Sequence, residues 1–424
     1  MYTLFSVINS ESLSIKEAVE YAENTTLEQE KKLKPLILHN HLKVAEAFQF
    51  HKISDDCFKG STGYGYGDYG RDTLDKIYAH IFGAEAALVR PQIVSGTHAI
   101  SLCLFGILRP GDRLLAVTGQ PYDTLLKVIG HPLATPCSLK ELGVNYSQVE
   151  LLPNGSPDYT KIAQELKKPT KMVLIQRSRG YAWRNSLSIA EIEKLINYIK
   201  EIDSDIICFV DNCYGEFVEM VEPTQVKADL IAGSLIKNPG GGIAPSGGYV
   251  AGREDLVERI SYKLTAPGIG AEVASSSGEV YRLLYQGLYL APHIVAEALK
   301  GAIYTAALFS HLGYEVSPKT GEERTDIIQA IKLGSEEKIV RFCKALQSFS
   351  PVDSHVVPEA WDMPGYDSKV IMAGGTFVQG STMELSADAP LRPPYIIYLQ
   401  GGLSYDYVKI AVTKAAVKML EKNK

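Results

Sequence analysis

The chain has 424 residues, 46% of them hydrophobic and 22% charged, which is typical of a folded globular protein with a large core. Its net charge of −6 offers no basic surface for nucleic acid or an anionic membrane. The longest apolar stretches fall short of the ~20 residues of a membrane span, and the first residues lack the pattern of a signal peptide.

Cysteine and histidine positions point away from disulfides and metals. The six cysteines are scattered without CxxC pairs, so buried free thiols in a reducing compartment are expected, and the cytoplasm is the predicted location. The nine histidines show no metal-ligand spacing, so no metal site is predicted.

The N-terminal part of the chain predicts helix. Apolar residues recur at helical spacing from Ser14 to Ile53. A loop rich in glycine and tyrosine follows from Gly60 to Gly70, and the helical pattern returns from Asp72 to Gly83.

Strand and helix patterns alternate between about residues 86 and 250. The strand-like runs are Ala87–Val89, Leu114–Val117, Met172–Gln176, Ile206–Val210, Leu230–Ala232 and Tyr249–Ala251. The helical patterns between them include Thr97–Leu108, Thr124–Ile129 and Ile189–Glu201. This alternation predicts an α/β fold with a mostly parallel sheet covered by helices on both faces. Ligands of such sheets bind beyond the carboxyl ends of the strands.

The C-terminal third has a different pattern. A helical stretch from Pro292 to Leu312 is followed by strand-like segments at 326–333, 370–379 and 395–401 and by a final helix at 405–422. These segments predict a smaller α+β domain. The expected organisation is an N-terminal helical arm (1–60), a large α/β domain (61–290) and a small C-terminal domain (291–424).

The segment from Phe209 to Tyr249 carries the strongest chemical signal. Asp211 ends one apolar run, and Lys237 follows the next one and precedes Asn-Pro-Gly-Gly-Gly. Pyridoxal 5′-phosphate (PLP) enzymes use such a pair: the lysine forms an imine with the cofactor aldehyde, and the aspartate keeps the pyridine nitrogen protonated. Burial beside a cationic ring would lower the pKa of this lysine. A solvated lysine and a helix-capping aspartate are the structural alternatives.

Further residues could complete a PLP site. Ser95, Gly96 and Thr97 open a helix after a strand, and free amides with hydroxyls there suit a phosphate, as they also suit a plain helix cap. Ser234 could add a phosphate contact. Tyr122 lies after another strand, where its ring could stack on the cofactor or simply pack in a loop.

Arginines supply candidate anion contacts. Tyr69 and Arg71, at the end of the glycine-rich loop, could clamp a phosphate, even in a neighbouring subunit. Arg392 stands between prolines and could bind a substrate carboxylate with two parallel hydrogen bonds. The alternatives for that role are Arg177, Arg179 and Arg184, and structural ion pairs remain open for all of these arginines.

Taken in chain order, these motifs resemble a known family. The set comprises YGR (69–71), SGTHA (95–99), Tyr122, VDNCYGEF (210–217) and SLIK (234–237). It resembles fold-type I PLP enzymes of Cys/Met metabolism, which include cystathionine lyases and methionine γ-lyase. The resemblance implies a large domain with a seven-stranded, mostly parallel sheet, a small C-terminal domain, and PLP held covalently by Lys237. It also implies that Tyr69 and Arg71 grip phosphate across a subunit boundary and that Ser95, Gly96, Thr97, Tyr122, Asp211 and Ser234 bind the cofactor.

Residues from about 30 to 420 are more closely similar to a bacterial branch known as methionine γ-lyase-like or aluminium-resistance proteins. These are described as carbon–sulfur lyases of the cystathionine β-lyase type, and the resemblance implies a homotetramer built from dimers with shared active sites. Two departures from the larger group stand out. Leu235 and Ile236 replace a hydroxyl-bearing Ser-x-Thr-Lys pattern before Lys237, and Ser178–Tyr181 replaces a segment that carries an asparagine. The sequence holds no ligand cluster that would give an aluminium link a physical basis.

The resulting hypothesis is a PLP-dependent carbon–sulfur lyase for an amino acid such as cystathionine, methionine or cysteine, acting by β- or γ-elimination. Lys237 would remove the α-proton, and Lys237 or Tyr122 would supply a proton to the leaving thiolate. Arg392 or Arg179 would bind the substrate carboxylate. The alternatives are an aminotransferase or decarboxylase on the same fold, or a PLP-binding protein without turnover.

Overall fold

The structure of the protein, a computed structural model, describes residues 13–363, 366 and 368–421. Residues 1–12 of the predicted arm and 422 of the predicted last helix lie outside these residues. The chain forms two compact units. One comprises residues 39–180 and 186–291, and the other comprises residues 181–185 together with the described parts of 1–38 and 292–424.

The helices and strands are numbered in chain order. The helices are α1 (Leu13–Phe50), α2 (Tyr69–Phe82), α3 (Gly96–Ile107), α4 (Asp123–Ile129), α5 (Tyr159–Glu165), α6 (Ile189–Ile202), α7 (Glu254–Leu264), α8 (Gly278–His311), α9 (Glu336–Gln347) and α10 (Tyr405–Leu420). The strands are β1 (Ala86–Arg90), β2 (Arg113–Ala116), β3 (Asn145–Gln148), β4 (Met172–Gln176), β5 (Ile207–Asp211), β6 (Leu230–Ser234), β7 (Gly248–Gly252), β8 (Glu315–Ser317), β9 (Gln329–Lys332), β10 (Val370–Ala373), β11 (Ser386–Pro390) and β12 (Ile396–Gln400).

The first unit is built on a seven-stranded sheet in the order β1-β7-β6-β5-β4-β2-β3. Only β7 runs against its neighbours, between β6 and β1. All five residues of each of the central strands β4, β5 and β6 are buried, as expected for parallel strands covered on both faces. The predicted α/β fold with a mostly parallel sheet is therefore confirmed.

Local sequence signals set several helix ends. Ser188 and Glu191 form a capping box at the start of α6, each side chain accepting a hydrogen bond from the backbone N–H of the other residue. Gly83 ends α2 in the left-handed conformation, where glycine carries no Cβ penalty. These signals explain why the predicted bounds of α2 and α6 agree with the structure to within a few residues.

The second unit contains a five-stranded antiparallel sheet in the order β10-β11-β12-β9-β8. Helices α9 and α10 pack against each other, and α9 also packs on β10. One hydrophobic core joins α10 to the sheet through residues such as Val412, Ile397 and Leu399. The predicted smaller α+β fold is confirmed for the described residues.

Some elements differ from the sequence-based expectations. Strands β3, β8 and β11 were not predicted, because their sequences NYSQ, EVS and SADAP are short and lack an apolar run. Helix α8 begins at Gly278 rather than Pro292, and this proline lies inside it. A proline ring is normally tolerated only in the first turn of a helix, whereas Pro292 lies well beyond the first turn of α8.

Candidate active site

The carboxyl ends of β5 and β6 bring the two central candidates to one edge of the sheet. Asp211 is the last residue of β5 and pairs in register with Ala232 of β6. Lys237 lies three positions after Ser234, the last residue of β6, and precedes the short 3₁₀ turn Asn238–Gly240. Parallel pairing of the two strands therefore explains how residues far apart in sequence share one site.

Lys237 is partly buried, and its Nζ lies 3.9 Å from the centroid of the Tyr214 ring. Burial lowers the pKa of the Lys237 amine. Interactions with Cys213, Tyr214, Asp211 and Tyr122 together outweigh burial and leave that pKa well above its usual value. These side chains by themselves therefore hold the amine as ammonium, and the lowering of its pKa beside a cationic ring stays a prediction.

Asp211 is 2% exposed, and its Oδ1 accepts a hydrogen bond of 3.1 Å from the backbone N–H of Cys213. Burial raises the pKa of the Asp211 carboxyl, and the nearby Lys237 acts in the opposite direction. A buried carboxylate with raised proton affinity is a good acceptor for a protonated ring nitrogen.

The start of α3 adjoins the same strand ends. Ser95 caps the helix by accepting a hydrogen bond of 3.1 Å from the backbone N–H of His98. A Cβ at Gly96 would lie 3.3 Å from the Cβ of Ser234 and 3.4 Å from the Sγ of Cys213. Gly96 therefore allows the helix start to approach the ends of both strands, where its amides favour an anion.

Tyr122 is fixed beside this helix start. Its hydroxyl lies 3.2 Å from the Oγ1 of Thr97, and its backbone N–H donates to the Oε1 of Gln176 at 3.1 Å. Burial, and then the charge of Asp211, raises the pKa of the Tyr122 phenol well above its usual value. The hydroxyl is therefore protonated at neutral pH and can act as a proton donor.

Tyr69 and Arg71, the residues expected to bind phosphate, differ from each other in exposure. Tyr69 is the first residue of α2 and is 51% exposed. Arg71 is buried, forms an ion pair of 2.8 Å with Asp72, and donates to the carbonyl of Gly65 at 2.8 Å. Within one chain, the Arg71 guanidinium is thus bound by its own loop.

The arginines proposed to bind a substrate carboxylate differ in how deeply their side chains are buried. Arg177 is fully buried and donates to the Oδ1 of Asn212 at 2.7 Å and to Glu219 at 2.6 Å. Arg179 is 1% exposed, whereas Arg392 is exposed and belongs to the second unit.

The structure adds a buried polar network that sequence reasoning did not select. Glu216 is fully buried and accepts a hydrogen bond of 2.7 Å from the Tyr249 hydroxyl through Oε1. Its Oε2 has no hydrogen-bond partner among the described residues. Glu222 accepts from the backbone of Phe217 at 3.0 Å and from Asn212 at 3.1 Å. These hydrogen bonds fix the backbone and side chains of the residues that follow Asp211. The sequence signal for this network was the glutamate inside the segment VDNCYGEF.

The donor set fits PLP in its chemistry: an amine, a buried carboxylate, an aromatic ring and a helix N-terminus converge at the sheet edge. A metal site is not found among the described residues.

Across residues 13–363, 366 and 368–421, no group of three or more His, Cys, Asp or Glu side chains could hold a metal ion. The same residues contain no helix with both the length and the hydropathy to cross a membrane.

Distant solved structures define the class of fold. The chain superposes on cystathionine gamma synthase from Xanthomonas oryzae pv. oryzae with a TM-score of 0.58 and 17% identity, covering 83% of this chain and 87% of that one. It superposes on the pyridoxal-5′-phosphate-dependent protein YhfS from Escherichia coli with a TM-score of 0.61 and 16% identity, covering 90% and 96%. The fold is that of fold-type I PLP enzymes.

The family follows from closer similarity. The family model for methionine gamma-lyase matches residues 15–420, and the chain belongs to that family. It is 51% identical to the uncharacterised protein YnbB of Bacillus subtilis over 92% of this chain and 93% of that protein.

Two solved structures are similar over nearly the whole chain. One is a candidate cystathionine β-lyase involved in aluminium resistance from Listeria monocytogenes, with 52% identity, a TM-score of 0.93, and 96% of this chain and 100% of that one covered. The other is a carbon–sulfur lyase involved in aluminium resistance from Clostridium novyi, with 52% identity, a TM-score of 0.92, and 96% of each chain covered.

Proposed function

We propose that the protein is a PLP-dependent carbon–sulfur lyase that releases a thiol from a sulfur-containing amino acid by β- or γ-elimination. The observation that carries the proposal is the convergence of Lys237, Asp211 and Tyr122 with the start of α3 at one sheet edge. The family supports an enzyme of the lyase type. Transamination and decarboxylation also occur on this fold, and the product that forms distinguishes them from elimination.

Each part of the cofactor has a proposed partner in the chain. Lys237 would hold PLP covalently, and Asp211 would pair with the pyridine nitrogen. Gly96, Thr97 and Ser234 would surround the phosphate at the N-terminus of α3. Bound PLP supplies an electron sink for the carbanion that forms when the substrate loses its α-proton.

Proton handling falls to two side chains. The Lys237 amine, whose pKa is raised, takes the α-proton once it is free and deprotonated. The Tyr122 hydroxyl, protonated and bonded to Thr97, donates a proton to the departing sulfur. Asp211, buried at this edge of the sheet, would accept a hydrogen bond from the protonated ring nitrogen.

The substrate carboxylate is proposed to bind Arg392 or Arg179. Arg177 is a weaker candidate because its guanidinium already binds Asn212 and Glu219. The test compares Arg392→Ala with Arg179→Ala. The carboxylate-binding arginine is the one whose loss raises KM strongly while the bound cofactor keeps its absorbance.

A site shared between subunits is also proposed. The ring of Tyr69 is 51% exposed at the start of α2, which suits contact with a second copy of the chain. Analytical ultracentrifugation tests the assembly. Mixing a Lys237→Ala chain with a Tyr69→Ala chain would restore activity only if the two residues act across the subunit boundary.

The first experiment is an absorbance spectrum of the purified protein before and after adding cystathionine, cysteine or methionine. Lys237→Ala should lose the cofactor band that borohydride can fix covalently, and it should release no thiol. Lys43→Met is the matched control, because Lys43 is also partly buried and burial lowers the pKa of its amine. Lys43→Met should keep the cofactor band and should still release thiol.

The outcomes separate the alternatives. Thiol release with formation of a keto acid and ammonia supports the lyase, whereas a new amino acid formed from an added keto acid indicates transamination. A band that no amino acid perturbs indicates binding without turnover. Full turnover by Lys237→Ala would refute the role of that lysine.

A further inference from the structure

Tyr214 lies beside the amine that the proposed chemistry uses, although the sequence analysis assigned it no role. Its ring centroid is 3.9 Å from the Nζ of Lys237. It follows Asp211 by three positions and is partly buried. At this distance the face of an aromatic ring attracts an ammonium group.

The backbone holds Tyr214 in this position by specific contacts. Its φ of 73° is left-handed, a conformation that residues other than glycine adopt at an energetic cost. The Nδ2 of Asn238 donates to the carbonyl of Tyr214 at 3.0 Å and to the carbonyl of Glu216 at 2.9 Å. Because fully buried Asn238 directly follows Lys237, one side chain sets the spacing between the lysine and the Tyr214 loop.

The surroundings of the amine leave few groups that can stabilise its charge. The titratable groups near Nζ are Asp211, Cys213, Tyr214 and Glu216, from β5 and the loop after it, and Tyr122 at the start of α4. Burial raises the pKa of the Cys213 thiol and of the Tyr122 phenol well above their usual values, so both are neutral at neutral pH. The Asp211 carboxyl and the Tyr214 ring face, 3.9 Å from Nζ, are then the groups on which we base the stabilisation of the ammonium form.

We infer that Tyr214 is a catalytic residue that stabilises the ammonium form of Lys237 through its ring face and so strengthens Lys237 as the base. When the α-carbon loses its proton, the proton joins Nζ, and the electron pair of the broken bond stays with the substrate. The ring favours this transfer because the product is an ammonium ion. The inference rests on the proposed function of Lys237 and adds a residue to it.

The test uses apoprotein and PLP itself, so that it does not depend on turnover. Cofactor capture by Lys237 needs the free amine, and its rate is followed by absorbance after mixing at about pH 7. Tyr214→Leu removes the ring, and Tyr214→Phe keeps the ring face and removes only the hydroxyl. Loss of the ring should increase the free-amine fraction and speed capture about tenfold, while Tyr214→Phe stays close to wild type.

The same variants predict an opposite change in catalysis. Tyr214→Leu should lower kcat, because its lysine is a weaker base, whereas a merely distorted site would slow both capture and turnover. Equal capture rates in wild type and Tyr214→Leu, or equal acceleration in Tyr214→Phe and Tyr214→Leu, would overturn the inference. If wild-type apoprotein captures no PLP, the proposed function fails instead. Circular dichroism verifies that the variants are folded.

Discussion

Replacement of Glu216 by glutamine should change how the stability of the protein depends on pH. Glu216 is fully buried, and burial raises the pKa of its carboxyl from the usual 4.5 to about 8. The hydrogen bond from Tyr249 acts in the opposite direction but does not cancel the effect of burial. At neutral pH the carboxyl is therefore protonated in the folded protein and ionised in the unfolded chain.

The sign and size of the effect follow from this difference in pKa. Folding takes up a proton between about pH 4.5 and 8, so the stabilisation is complete below the lower value and is lost as the pH rises through the upper one. A difference from 4.5 to about 8 corresponds to about 5 kcal/mol in the free energy of unfolding. Glutamine does not titrate, so the free energy of unfolding of Glu216→Gln does not fall in this way as the pH rises.

Glutamine also brings a local cost. Its carbonyl can still accept from the Tyr249 hydroxyl, but its NH₂ group replaces Oε2, which has no hydrogen-bond partner among the described residues. The neutral carboxyl of wild type already places one O–H donor at this position, and the amide adds a second buried donor that costs about 1–3 kcal/mol. Glu216→Gln should therefore be less stable than wild type at about pH 5 and more stable by about 2–4 kcal/mol at about pH 9.

The assay is urea unfolding of the apoprotein followed by circular dichroism at several pH values. Other titrating groups are shared, so the difference between the two proteins isolates Glu216. Tyr249→Phe is the control: it removes the hydrogen bond that lowers the pKa of Glu216, so the loss of stability should move to higher pH. A stability difference between wild type and Glu216→Gln that stays constant with pH would refute the reasoning.

Three further changes test other parts of the site. Gly215→Ala should destabilise the protein by about 2–3 kcal/mol in urea unfolding, because the new Cβ would lie 2.3 Å from a guanidinium nitrogen of Arg177; an unchanged free energy of unfolding would show that this close contact carries no cost. Asp211→Asn should keep bound PLP but lower kcat by about a hundredfold, since the amide does not carry the buried charge; unchanged kcat would exclude its pairing with the ring nitrogen. Tyr122→Phe should retain the cofactor spectrum and lose about a hundredfold in thiol release, and equal rates in the two proteins would remove the phenol as proton donor.

The pattern of the chain was sufficient to predict the sheet and to place the candidate site at the carboxyl ends of its strands. Apolar runs such as Met172–Gln176 and Ile207–Asp211 are buried over their whole length in parallel strands, and this burial leaves a clear signal in sequence. Polar edge strands such as Asn145–Gln148 carry no such signal, because only part of their surface is covered.

Some residues of the candidate site could be predicted from the sequence, and others could not. Asp211 and Lys237 were found because each follows an apolar run, and their residue types carry a known chemistry. Glu216 and Tyr214 were not selected, because glutamate is usually exposed and one tyrosine among 24 has no distinguishing context. Only their burial and their distances to Tyr249 and Lys237 separate them from ordinary residues.

The sequence by itself determined the fold class and the residues that end its central strands, because burial on both faces of a parallel sheet imposes long apolar runs. The tertiary structure decided the protonation of those residues. Burial raises the pKa of Asp211, and the raised pKa of Lys237 depends on side chains from the end of β5, the loop after it and the start of α4, which come together only after the strands pair. Desolvation and charge act through space, so their sum cannot be obtained from positions along the chain.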